Sequence, residues 1–115
     1  MDLDSIVLMT RKKETPGAVV FTENEVGGKP PIIGSLYVKK YHANGAASIA
    51  VTVDKEAKLT VDADTRRFTK KKETPGCFVY SEQEIPGTAP IIGTLYLKRW
   101  FASGAEAVCV RIAKD

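Results

Sequence analysis

The sequence predicts an all-β protein of about eight short strands. They come from two tandem four-stranded repeats that close into a small barrel or sandwich with pseudo-two-fold symmetry. Three observations predict this. Residues 10–54 return as residues 69–113 at a constant offset of 59, with 22 of the 45 positions identical and no gap. The apolar residues shared by the two copies alternate, which is strand rather than helix periodicity. Turn-forming Gly, Pro and Asn interrupt the apolar runs every 8 to 12 residues or so, as in sandwiches and barrels.

The strands read as follows. A first strand runs from Ile6 to Lys13, and its second-copy version is more polar, Thr65-Arg66-Arg67-Phe68-Thr69. It turns at Thr15-Pro16-Gly17 and Thr74-Pro75-Gly76, where proline fixes φ and glycine suits the positive-φ corner of a type II turn. A second strand follows at Ala18–Thr22 and Cys77–Ser81. Glu23–Pro31 and Glu82–Pro90 read as loops, broken by Gly27-Gly28 and Pro86-Gly87.

A long third strand is expected from Ile32 to about Tyr41, copied at Ile91 to Trp100. One face carries Ile32, Leu36 and Val38, or Ile91, Leu95 and Leu97. The other carries Ile33, Tyr37, Lys39 and Tyr41, or Ile92, Tyr96, Lys98 and Trp100. Gly34 and Gly93 inside it suggest a bulge, a bend or close approach by another backbone. Asn44-Gly45 and Ser103-Gly104 then read as hairpin turns, with a short helical turn at 39–44 as the competing reading. The last strand places Ile49, Val51 and Val53, or Val108, Val110 and Ile112, on one face.

A chain of 115 residues is the size of one domain. Each half, at about 50 residues, is at the low end of independent stability. The expectation is therefore one domain over 1–115, made of repeats at about 5–54 and 64–113 joined by a short polar segment, 55–63. Such a molecule is a monomer that mimics a dimer, or a homo-oligomer. The apolar stretches are too short for a membrane-spanning helix. The acidic start, Met1-Asp2-Leu3-Asp4, lacks the basic region of a signal peptide, so a cytoplasmic location is expected.

Catalytic chemistry finds little support. The single histidine, His42, has Phe101 as its counterpart, and Cys77 and Cys109 have Ala18 and Ala50. Those exchanges read as packing positions. No CxxC, HExxH or phosphate-loop pattern is present. The expectation is a non-enzymatic protein with no catalytic residues, no metal and no cofactor. Glu23/Glu25 and Glu82/Glu84 recur in both copies and read as solvated loop charges or edge protection.

The basic residues carry more. Net charge is +3 and the pI about 8.9. Lys12, Lys13, Lys71 and Lys72 flank the Thr-Pro-Gly turns. Lys39, Lys98 and Arg99 interleave with Tyr37, Tyr96 and Trp100 on the long strand. A basic, aromatic β surface is how small β folds bind single-stranded nucleic acid: cations offset phosphates and bases stack on rings. Glu14 and Glu73, kept inside the basic turns, lower the local charge. The expected function is a binding module for nucleic acid. The alternatives are a protein-interaction or inhibitory module, or a small-ligand binder at the pseudo-two-fold.

One resemblance bears on this. Lys72-Glu73-Thr74-Pro75-Gly76, Tyr80, Ile92-Gly93-Thr94-Leu95-Tyr96-Leu97-Lys98 and the Val108–Ile112 strand form a KxTxG…IGTLYxK pattern. It resembles short uncharacterised single-copy β proteins of bacteria and phages, here duplicated. The resemblance implies a small cytoplasmic or phage-encoded β module. It carries no functional residue.

Overall fold

The computed structural model describes residues 6–24, 27–28 and 30–114. The alternating runs become eight strands: β1 (Ile6–Glu14), β2 (Ala18–Glu23), β3 (Ser35–Lys39), β4 (Ser48–Asp54), β5 (Thr65–Glu73), β6 (Cys77–Glu82), β7 (Thr94–Lys98) and β8 (Ala107–Lys114). Two single-turn helices interrupt them, α1 (Lys40–Ala43) and α2 (Arg99–Ala102). The offset of 59 carries β1, β2, β3 and α1 onto β5, β6, β7 and α2 residue for residue.

All pairings are antiparallel, in one sheet of order β3-β2-β1-β4-β8-β5-β6-β7. The copies join through β4 and β8, where Thr52 faces Arg111, Val51 faces Ile112 and Val53 faces Val110. Thr52 and Arg111 occupy equivalent positions in the two copies. A pseudo-two-fold axis therefore passes through that pair. The edge strands then meet on the far side. The Lys39 N–H donates to the Ile91 carbonyl at 2.8 Å, and the Lys98 N–H to the Ile32 carbonyl at 2.9 Å. These two reciprocal bonds nearly close the sheet into a barrel, which protects edges that would otherwise invite aggregation.

The barrel interior is filled from both copies by Met9, Phe21, Leu36, Val38, Val51 and Val53, with Phe68, Tyr80, Leu95, Leu97, Val110 and Ile112. This single cluster explains why neither half needs its own core. The Tyr80 hydroxyl reaches the Ala105 carbonyl at 2.7 Å, which satisfies the one polar tip of a fully buried ring.

Four sequence expectations are corrected. The third strand is shorter than expected, because the chain turns helical at Lys40 and Arg99. Asn44 and Ser103, both left-handed at φ near +48°, cap the helices instead of forming hairpin turns. Gly17 and Gly76 do not take positive φ. Their turns are held instead by Thr15 and Thr74, whose hydroxyls accept the N–H groups of Ala18 and Cys77 at 3.1 Å. The positive φ falls at Gly34 and Gly93, +88° and +95°, just before β3 and β7.

That bend explains the fourth correction. Bending at Ile32-Ile33-Gly34 leaves three successive N–H groups without a strand partner, and Glu23 accepts all three at 2.8–3.0 Å. Glu82 does the same for Ile91, Ile92 and Gly93 at 2.8–3.0 Å. Glu23 and Glu82 are thus structural anion clamps rather than solvated loop charges. Glu84 is exposed, and Glu25 lies outside the described residues.

Candidate functional site

The outer face of the barrel carries the expected basic and aromatic residues, but not on one surface. Across the first copy, Lys13 pairs beside Val20 and Val20 beside Tyr37; across the second, Lys72 beside Val79 and Val79 beside Tyr96. At about 4.8 Å per strand, each lysine is about 10 Å from its tyrosine. The two rows run outward from the β3–β7 seam in opposite directions. Lys12 and Lys71 are the extra residues of β-bulges in β1 and β5, which push them out of register and into solvent.

The seam itself brings together Tyr37, Lys39, Tyr96 and Lys98. The tyrosines are 49% and 46% exposed. The half-buried lysine stems cross the seam. The Lys98 Nζ lies 3.5 Å from where a Cβ on Gly34 would stand, and the Lys39 Nζ 3.8 Å from that position on Gly93. Each copy's lysine therefore covers the other copy's bend. Among the described residues, neither ammonium has a hydrogen bond or ion pair, nor do those of Lys12, Lys13, Lys71 and Lys72.

Not every predicted cation is free. Arg99 is held by Glu73 at 3.0 Å, and its counterpart Lys40 by Glu14 at 3.1 Å. Lys70 pairs with both Glu73 and Glu106, whose hydrogen bonds hold its ammonium above the ordinary range. Trp100, although exposed, donates its Nε1–H to the Pro31 carbonyl at 2.9 Å. Its counterpart Tyr41 donates to the Ala89 and Pro90 carbonyls at 2.9 Å. These rings bolt the copies together at the seam ends. A further reciprocal pair, Lys55 to the Phe101 carbonyl and Lys114 to the His42 carbonyl, does the same at 2.9 Å.

A second feature was missed by the sequence reading. A cavity of about 700 Å³ opens between the copies, beside His42. The His42 side chain is 8% exposed, and its Nε2 stands 3.4 Å from Asp64 Oδ1 without a hydrogen-bond partner. Burial, and then the neighbouring Lys114, push its pKa below the usual imidazole value. Arg66, on the same cavity wall, is buried and ion-paired with Glu82 at 3.3 Å, with side chains 5% and 3% exposed. It also donates to the Asp62 and Thr65 carbonyls. Arg66 stands where the first copy has Val7, and His42 where the second has Phe101. Those breaks in the repeat were the available signal.

The cysteines are free thiols. Cys109 is buried, which raises its pKa and disfavours the reactive thiolate. Among the described residues there is no cluster of three metal-ligating side chains, and no helix is long and apolar enough to cross a membrane. No protein-family model, curated protein or solved structure matches the chain.

Proposed function

We propose that this protein binds single-stranded nucleic acid along the β3–β7 seam. The observation that carries the reading is the pair Lys39 and Lys98: ammoniums without a counter-charge among the described residues, on half-buried stems, beside the exposed rings of Tyr37 and Tyr96. A cation without a protein counter-charge is free to pair with a phosphate. The tyrosine rings offer stacking faces that accept any base. Lys12, Lys13, Lys71 and Lys72 lie on the two flanks and extend the positive field without touching the strand at the seam. The expected site is short, near the lower end of the roughly 4–16 nucleotides that small β-barrels cover. The pseudo-two-fold makes both strand directions equivalent at the seam, so binding is tolerant of sequence and of polarity.

The test is fluorescence anisotropy with a labelled mixed-sequence oligonucleotide over a salt series. Wild type should bind at low salt and weaken as salt rises. Lys39→Gln/Lys98→Gln should flatten the log–log slope by about 1.4, at about 0.7 per phosphate contact for a single strand. Absence of binding at low salt, or an unchanged slope in the double variant, removes the seam from the function.

A further inference from the structure

Both copies fill the barrel mainly with apolar side chains, and polar differences between them gather around the cavity beside His42. In the other copy, His42 is replaced by Phe101, Arg66 by Val7 and Asp64 by Ser5. Phe101 is buried in the core, so an apolar ring satisfies the fold at that position. A buried imidazole in its place costs stability and leaves Nε2 without a partner. Polar divergence that is expensive for folding, and that converges on one cavity from both copies, is what a binding site adds to a duplicated scaffold. The cavity does not lie on the pseudo-two-fold, because the offset carries Tyr41 and His42 to Trp100 and Phe101 on the other side of the barrel.

The lining selects the ligand. Four charged groups bear on His42: Lys114, Asp64, Arg66 and Glu82. Two cancel, because the Arg66 guanidinium pairs with Glu82. Lys114 turns its ammonium to the His42 carbonyl at 2.9 Å. The Asp64 carboxylate, half exposed, has no Lys or Arg within ion-pair distance among the described residues; its neighbour is the His42 imidazole. An imidazole Nε2 without a hydrogen-bond partner and a carboxylate without a Lys or Arg beside it both leave room for a hydrogen-bond donor. Tyr41 presents an exposed ring on the same lining, suited to a cation, and Val61, Ile85 and Ile91 supply an apolar wall. The volume suits a small organic molecule.

We infer that the cavity between the copies binds a small amine with an apolar body, its ammonium held by Asp64 and the His42 imidazole. The site is separate from the seam and stands or falls without it.

The chain has one histidine, so its imidazole signals in a ¹H–¹⁵N spectrum are unambiguous reporters. Benzylamine, benzyl alcohol and benzoate share an apolar body and differ in the head group. Benzylamine should shift the His42 signals with a saturable curve, benzyl alcohol less, and benzoate not at all. Asp64→Asn should weaken benzylamine binding about tenfold, the loss expected for one charge-assisted contact. His42→Phe restores the residue of the other copy and should fold; amide shifts around Asp64 and Ile91 should then respond weakly or not at all to benzylamine. The inference is overturned if benzylamine leaves His42 unmoved, if benzoate shifts it equally, or if Asp64→Asn or His42→Phe binds as tightly as wild type.

Discussion

Replacing Glu82 by Gln should destabilise the protein far more than replacing Glu23 by Gln. Each carboxylate accepts three backbone N–H groups at matching distances. A glutamine keeps an amide oxygen for those donors but loses the charge that strengthens them, at a cost of about 1–2 kcal/mol in either copy. Only Glu82 also neutralises a buried cation, Arg66, at 3.3 Å. Removing one partner of a buried pair costs about 3–5 kcal/mol. Arg66 keeps its bonds to the Asp62 and Thr65 carbonyls, so the lower end applies. The excess of Glu82→Gln over Glu23→Gln is therefore about 3 kcal/mol, a large share of the 5–15 kcal/mol typical of a domain. Urea unfolding at 25 °C measures it from the midpoints, with the m-value checked for constancy. In an Arg66→Val background the excess should vanish, because the second copy then matches the first at Val7. Equal costs for the two glutamine variants would refute the reasoning.

Four further outcomes are expected. Ala at Gly17 or Gly76 should be neutral or stabilising by up to about 1 kcal/mol, since neither has positive φ or a neighbour within 4 Å of the new Cβ. Ala at Gly34 or Gly93 should lower Tm, because φ is strongly positive there, a conformation that strains any residue with a Cβ. The His42 pKa is lowered on folding, so the unfolded chain binds the proton more readily. Stability should hold above the unfolded value of about 6.5 and fall as pH drops below it, and His42→Phe should flatten the Tm profile in that window. Glu73→Gln releases Arg99 from its ion pair and leaves Lys70 paired with Glu106 alone. Oligonucleotide affinity at low salt should rise and the salt slope steepen by up to about 1 in the same anisotropy assay.

Much of the fold was legible in the sequence because the repeat and the period-two alternation act on the same residues. Ile49, Val51 and Val53 face inward with their copies for a reason that needs no tertiary knowledge. The third strand was over-extended because Lys40-Tyr41-His42-Ala43 alternates well enough to continue a strand. What ends it is the turn into helix at Lys40; the left-handed Asn44 then caps that helix, a conformation that Asn tolerates there as readily as in a hairpin. Glu23 and Glu82 were misread because their partners lie 9 to 11 residues away, across a bend that creates the orphan N–H groups.

For the seam, parity along one strand was enough to put Tyr37 and Lys39 on the outer face. Strand order was not legible, and it separates Lys13 and Lys72 from the tyrosines. Comparing copies read His42 as a packing position because its counterpart is Phe101, and His42 is buried; the same difference lies on the cavity lining. Symmetry identifies what the fold requires; departures from it, when polar and buried, identify what the fold does not require.

The central claim is that both copies contribute equally to one nucleic-acid seam. The direct measurement is mapping of backbone amide shifts while a short oligonucleotide is titrated in at low salt. The account predicts matched, saturable changes over Ser35–Lys39 and Thr94–Lys98, larger than any at the bulges of Lys12 and Lys71. Changes confined to one copy or to the hairpin tips, or no changes at all, would contradict it.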